Sequence, residues 1–309
     1  MKKIAIVAVN YNGYADTADF IESFKKLDTS GFEVTLLIVD NGSPDGSGAE
    51  IHKKFGEKIL FVQLDKNYGF TGGYNRGVRS AYEWGADYIL VINNDVLFNS
   101  KNLLHELVKV IESSPTVAVV VPKIYFAPGY EYHKDRYKKS EIGKVLWYAG
   151  GSFDWSNVNS IHRGIDEVDT GKYDMVEEVD FANGCCFLVK REVVAKEPIF
   201  DEKLFSYYED GDFSMRLKKQ GYRIYYDGEV SIYHKVGKTG GIGSPFNDYM
   251  STRNQLYFGM RYSSLRTKFA LMRQAVRFLL MGRPYQRRGV LDYLRGVGGL
   301  PSDVVKPKS

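Results

Sequence analysis

The sequence predicts an α/β protein built on a mostly parallel central sheet and followed by a basic helical extension. Three observations predict it. Five short runs, 4–9, 34–40, 58–64, 87–93 and 117–122, are almost wholly apolar and rich in Val and Ile, as strands buried on both faces are. Segments of helical length separate them, at 14–27, 47–56, 73–84 and 99–113, and such alternation builds a parallel sheet. From Thr252 to the end, twelve Lys or Arg stand against Asp292 and Asp303, although the whole chain carries only +4.

The first run, "IAIVAV", follows a charged start and is cut short by Asn10 and Asn12, so it reads as a strand and not as a signal peptide. With 44% hydrophobic and 26% charged residues the chain has globular composition, which excludes disorder as its theme. Its two cysteines, Cys185 and Cys186, are adjacent, poor geometry for a bridge, and a reduced cytoplasmic setting is expected.

In parallel sheets ligands sit beyond the carboxyl ends of the strands. Those ends read "NYNG", "DNGSPDG", "DKNYGFTGGYNRG" and "NNDV". Asp40 either accepts hydrogen bonds from a ribose or base or is a turn residue. Gly69, Gly72, Gly73 and Gly77 either let backbone amides approach phosphate or make a tight strand-to-helix turn. Asp95, beside Asn93 and Asn94, suits a weakly held Mg²⁺ or Mn²⁺, or else these residues cap a helix at 99. His234, after "VSIY", is either a nitrogen ligand that favours Mn²⁺ or a packed imidazole.

After Pro122 the alternation stops and a polar, Tyr-rich half begins, expected to serve a second substrate. Within it, "FSYYEDGDFSMRLKKQGYRIYYDGEVSIYH" crowds Glu209, Asp210 and Asp212 among aromatic rings. Asp212 and Arg216, four apart, read as a helix anchor. Glu209 and Asp210 are expected to precede that helix, where aromatic neighbours would raise a carboxyl into the range of a general base.

The extension is expected to be a separate unit from about Asn247, entered through the glycine-rich "GKTGGIGSP" as a mobile loop and ending in a frayed "PSDVVKPKS". Its segment 267–282 is amphipathic and, with Arg266 just before it, places Arg266, Arg273 and Arg277 on one face. No run is long enough to span a membrane. An anionic membrane surface, and no nucleic acid, is the expected partner.

Taken in order, "VAVNYN", "VDNGS", "NYGFTGGYNRG", "NNDV", "GCCFLVKREVV", the acid-rich stretch and "YH" resemble glycosyltransferase family 2, in particular its rhamnosyltransferase-like branch, from residue 4 to about 240. The resemblance implies a GT-A fold over 1–246, a nucleotide-sugar half at 1–122 and an acceptor half at 123–246. It further implies a nucleotide-diphosphate sugar donor, Mn²⁺ or Mg²⁺, and inversion at the anomeric carbon. By the same resemblance Asn10, Tyr11, Asp40, Asn67, Gly69, Gly73 and Asn94 border the donor, and Asp95 and His234 hold the metal or diphosphate. Asn93 stands where the family has an acid. Asp210 becomes the base that deprotonates the acceptor hydroxyl, with Glu209 orienting the acceptor. Arg253 binds the diphosphate leaving group or is an ordinary basic residue. The expected product is a cell-surface glycan, as in O-antigen or other bacterial polysaccharide assembly, made on a glycan or lipid-linked acceptor at the inner face of the cytoplasmic membrane. Two other classes stay open: a dinucleotide-dependent oxidoreductase, which would want GxGxxG after the first strand, and a non-catalytic carbohydrate-binding protein.

Overall fold

A computed structural model describes residues 1–236, 243–302 and 304. Most of the glycine-rich entry, 237–242, and the end of the tail, 305–309, therefore lie outside the described residues. The first half alternates as expected: β1 (Lys2–Asn10), α1 (Tyr14–Ser23), β2 (Phe32–Asp40), α2 (Ser47–Phe55), β3 (Leu60–Gln63), α3 (Gly69–Trp84), β4 (Tyr88–Ile92), β5 (Val96–Phe98), α4 (Leu103–Ile111) and β6 (Val117–Phe126). The second half contributes β7 (Leu146–Tyr148), β8 (Gly151–Asp154), β9 (Asn159–His162), β10 (Val176–Glu178), β11 (Cys186–Lys190), α5 (Arg191–Val194), α6 (Glu209–Lys219) and β12 (Arg223–His234). Three helices close the described chain: α7 (Pro245–Tyr262), α8 (Leu265–Met281) and α9 (Pro284–Leu294).

The central sheet runs β10-β12-β6-β11-β4-β1-β2-β3, with β5 pairing β12 and β7 pairing β6. Strands β4, β1, β2 and β3 are mutually parallel, as are β12 and β6. β11 runs antiparallel between β4 and β6 and joins the two parallel groups. The apolar runs occupy the centre: Ile4 through Ala8, Ile89 through Ile92 and Val117 through Val121 are fully buried. Removing both faces of a strand from water is what makes its sequence lose alternation.

Close packing of α3 on the sheet accounts for Gly77, where a Cβ would lie 2.5 Å from Val7 Cγ1 and 2.9 Å from Val39 Cγ2. Gly69 is in the left-handed region at φ 77°, and a Cβ there would meet the Phe205 ring at 2.5 Å. The tight-turn reading of that glycine-rich segment is thus physically sufficient for Gly69, whereas Gly77 is explained by the packing of α3 on the sheet and not by a turn.

Two expected boundaries fall inside elements. The division at 122 cuts β6, and the one at 246 cuts α7. α7 is no appendage: Ser244 caps it by accepting from Asn247 N, Pro245 starts it, and Phe246, Tyr249, Met250, Arg253, Asn254, Leu256 and Phe258 are buried. The extension therefore begins inside the packed body, and only α8 and α9 lie at its edge.

Candidate active site

The carboxyl ends of β1 and β2 are neighbours, with Asn10 opposite Asp40 in the register. Both side chains are fully buried. The Asp40 carboxylate accepts from Asn10 Nδ2 at 2.7 Å, Ser43 Oγ at 2.6 Å, Ser43 N at 3.0 Å and Gln63 Nε2 at 2.6 Å. Asn10 Oδ1 in turn accepts from Thr17 Oγ1 at 2.9 Å, and Thr17 accepts from Asn94 Nδ2 at 2.8 Å. A connected network of this kind fixes the ends of β1, β2, β3 and β4 relative to one another. Tyr11 is half-buried beside it. Asn67 Oδ1 accepts from Gly69 N at 2.8 Å and holds the entry to α3, while a Cβ on Gly73 would press on Val9 and Asn41.

Asp95 sits between β4 and β5. Because β12 pairs antiparallel with β5, His234 faces Val96, and its Nε2 lies 3.1 Å from Asp95 Oδ1. Lys235 N donates to the Asp95 backbone carbonyl at 2.9 Å. Burial raises the Asp95 carboxyl, but the His234 imidazole and Lys235 outweigh it and hold the group below its usual range. Asp95 Oδ1 is buried and meets only His234 Nε2, and His234 Nδ1 is buried without a hydrogen-bond partner. A carboxylate oxygen and an imidazole nitrogen 3.1 Å apart are N and O donors of the kind that fits a divalent cation such as Mn²⁺ between them. Asn93 does not add to them, since its Oδ1 accepts from Tyr74 Oη at 3.1 Å. Among the described residues no three His, Cys, Asp or Glu side chains converge to hold a metal, so further ligands would have to come from substrate or water.

The acid pair lies across a short segment from Asp95. Asn93 N donates to Cys185 O at 2.8 Å, and Gly184 N donates to Asp210 Oδ2 at 3.3 Å, so residues 184–185 tie the end of β4 to α6. Glu209 and Asp210 do not precede the helix but form its first turn. Gly211 N also donates to Asp210 Oδ1 at 2.7 Å. Burial raises the Asp210 carboxyl, and these backbone donors partly oppose it. Burial and then the Asp210 charge raise Glu209, whose Oε2 is buried without a partner. The asymmetry assigns the charge: Asp210, with two backbone N–H groups, is the better-stabilised anion, and Glu209 is the one that keeps its proton. Both open into a cleft of about 380 Å³ lined also by Asn159, Ser160, Tyr207, Tyr208 and Ser251.

What presents this turn was not legible in the sequence. Phe205, Tyr207 and Tyr208 all have positive φ, at 61°, 69° and 70°. Bulky side chains avoid that region. Asn254 Nδ2 donates to the carbonyls of Leu204, Ser206 and Tyr207 at 2.8, 2.8 and 2.9 Å. Arg253 Nη2 donates to Lys203 O at 3.0 Å and Leu204 O at 3.2 Å, and its Nη1 to Tyr249 Oη at 3.0 Å and to Gly299 O. Arg253 is fully buried with its donors spent on protein oxygens, so its observed work is to clamp this loop, unlike either the leaving-group contact or the ordinary basic residue expected of it. Asp212 accepts from Arg216 Nε at 3.0 Å, as its spacing predicts, and also from Arg261 and Tyr262 of α7. His162 carried no signal either; it stands edge-on to Trp147 with His234 on the same indole. Burial lowers His162 to about 4, so it is neutral.

The mostly parallel central sheet with its flanking helices is the GT-A fold, and solved glycosyltransferase structures share that fold. A mannosyltransferase from Pyrobaculum calidifontis, solved with GDP-Man and Mn²⁺, matches with TM-score 0.54 at 14% identity over 95% of this chain and 74% of its own. GalNAc-T7, solved with UDP, GalNAc and Mn²⁺, matches with TM-score 0.67 at 13% identity over 96% of this chain and 55% of its own. The chain belongs to glycosyl transferase family 2, whose model matches residues 5–196. Among its relatives is the N-acetylglucosaminyl-diphospho-decaprenol L-rhamnosyltransferase of Mycobacterium tuberculosis, 25% identical over 246 residues, 77% of this chain and 78% of the relative. A low-salt glycan biosynthesis hexosyltransferase of Haloferax volcanii is 22% identical over 223 residues, 72% of this chain and 63% of the relative. Membership in this family sets the oxidoreductase reading aside.

A raised carboxyl binds its proton more tightly in the folded than in the unfolded chain. Its contribution to stability is therefore lost as pH rises above the unfolded value of about 4.3. Glu209→Gln removes that loss: its melting temperature should match the wild type near pH 4 and exceed it increasingly towards pH 8. A difference that stays constant across this range would contradict a buried, proton-holding Glu209.

Proposed function

We propose that the chain is an inverting glycosyltransferase that moves a sugar from a nucleotide-diphosphate donor to a hydroxyl of a lipid-linked glycan. The observation that carries this reading is the buried acid pair, in which backbone N–H groups favour the charged form of Asp210 while Glu209 retains its proton. The acceptor hydroxyl oxygen forms a bond to the anomeric carbon as the bond from that carbon to the donor diphosphate breaks. Asp210 takes the hydroxyl proton, and a nucleoside diphosphate leaves with the bonding electrons. Because the base lies on the acceptor side, displacement is direct and the anomeric configuration inverts. Glu209, as a neutral acid, donates a hydrogen bond that orients the acceptor. Tyr207 and Tyr208 offer ring faces to sugars.

Asp95 and His234 would hold the divalent cation, Mn²⁺ or Mg²⁺, which when bound supplies positive charge for the departing diphosphate. Asn10, Tyr11, Asp40, Asn67, Gly69, Gly73 and Asn94 shape the donor side, Asn10 and Asp40 from within the hydrogen-bonded strand ends, where both Asp40 carboxylate oxygens already accept from protein donors. Rhamnose is the favoured donor sugar and a diphosphate-linked lipid the favoured acceptor, by likeness to the mycobacterial N-acetylglucosaminyl-diphospho-decaprenol L-rhamnosyltransferase, with the deoxythymidine-diphosphate form of the donor resting on the family resemblance alone. That acceptor would put the enzyme on the cytoplasmic face of the membrane, in assembly of a surface polysaccharide.

Asp210→Asn should lower kcat by roughly a hundredfold or more while leaving nucleotide-diphosphate affinity unchanged, since a general base acts in the transition state. Near-normal turnover would end the assignment, and no transfer by the wild type would favour the carbohydrate-binding alternative. Replacing Asp95 or His234 with Ala should abolish the gain in nucleotide-diphosphate affinity that Mn²⁺ gives the wild type. Unchanged Mn²⁺ titrations in both variants would place the ion elsewhere.

A further inference from the structure

α8 uses only one of its faces to pack. Leu271 and Ala275 are buried in a cluster with Val158, Leu256, Phe258 and Val290. Gly259 of α7 permits the approach, since a Cβ there would lie 2.3 Å from Leu271 Cδ1. Another face stays in solvent although it is apolar: Leu265, Phe269, Val276 and Leu280 are 74%, 73%, 54% and 72% exposed. Their spacing, with half-buried Met272, is i, i+4, i+7, i+11, i+15, which places all five along one stripe. Exposed apolar groups arranged contiguously, unlike scattered ones, mark a contact surface.

Arg266, Arg273 and Arg277 flank the stripe on one side. Among the described residues none of the three makes an ion pair, whereas Arg261, Arg283 and Arg288 are paired with Asp212, Asp248 and Asp292. No Asp or Glu occurs from Tyr249 through Leu291. No helix among the described residues is long and apolar enough to cross a membrane. We infer that α8 lies in the surface of an anionic lipid bilayer, its Leu265–Leu280 stripe among the acyl chains and its arginines on the phosphates. An apolar face edged by unpaired arginines is how an interfacial helix is built. A second copy of the chain is a poorer occupant, because a two-fold contact through this stripe would set arginines against arginines with no acid of the helix to meet them.

The placement also serves the cleft. Ala270, Leu271 and Gln274, on the side of α8 away from the stripe, line a cavity of about 230 Å³ with Asn159 and Gln255. Asn159 also lines the cleft that holds Glu209 and Asp210. A helix is about 10–12 Å across with its side chains, so a bilayer under α8 brings headgroup-borne sugars to within a helix diameter of the cavity that adjoins the cleft at Asn159. This last step rests on the lipid-linked acceptor proposed above; adhesion itself does not.

The test is co-sedimentation of the full chain with phosphatidylcholine vesicles, with and without phosphatidylglycerol. The wild type should pellet with the anionic vesicles, weakly with neutral ones, and less as salt rises. The triple variant Arg266→Gln, Arg273→Gln, Arg277→Gln should bind anionic vesicles about a hundredfold less tightly, about fivefold for each charge removed. Phe269→Ser with Leu280→Ser should lose binding at every salt concentration. Both variants should melt like the wild type, because the changed side chains are in solvent. Equal binding by wild type and variants, or no preference for anionic vesicles, would overturn the inference. So would a lipid-free dimer that the Phe269→Ser, Leu280→Ser variant dissociates. Turnover of a water-soluble acceptor should be the same in all three proteins; failure of the wild type to turn over would count against the transferase reading and leave the vesicle result standing.

Discussion

Everything at the acceptor side depends on how α7 holds three aromatic residues in left-handed backbone. Each such residue costs on the order of 1–3 kcal/mol and persists only where its surroundings over-determine it. Here the Asn254 amide and the Arg253 guanidinium together donate to the carbonyls of residues 203, 204, 206 and 207, all from the buried side. A loop so fixed leads into α6 with Glu209 and Asp210 in its first turn, where free backbone N–H groups favour an anion. The buried Asp212, bound by Arg216 of its own helix and Arg261 of α7, keeps that turn from shifting.

A second constraint joins this turn to the donor side. β11 runs antiparallel between β4 and β6, and the residues just before it reach both ways, Cys185 O to Asn93 N and Gly184 N to Asp210. One short stretch of chain thus fixes the distance between the Asp95–His234 pair and the acid pair. Gly184 packs directly against the site, since a Cβ there would stand at ordinary contact distance, 3.6 Å from Asp210 Cβ and 3.5 Å from Phe70. Adjacent buried thiols at Cys185 and Cys186 have desolvation against ionisation, which fits a packing role.

The strands were legible because burial on both faces leaves a continuous apolar run, and the strand-end residues followed from sheet geometry alone. Asp212–Arg216 was legible because helix spacing is local. The clamp was not: an Arg and an Asn inside a basic helical segment look solvated, and nothing in "YMSTRNQ" says that both are buried. Left-handed Phe205, Tyr207 and Tyr208 were hidden for the opposite reason, since residues that avoid positive φ cannot announce it. The same blindness misplaced the start of α6 by two residues and put a domain edge inside α7. Asp40 was read correctly as a strand-end acid, but its four internal donors depend on Ser43, Gln63 and Asn10 converging from separate elements.

The clamp is tested most directly by steady-state kinetics of Asn254→Ala, measured well below its melting temperature and beside Asn254→Gln. Asn254 touches the loop and not the cleft's acids, so the account predicts a fall in kcat of tenfold or more in the Ala variant with donor KM unchanged, and partial recovery with Gln. A folded Asn254→Ala protein that turns over like the wild type would contradict it.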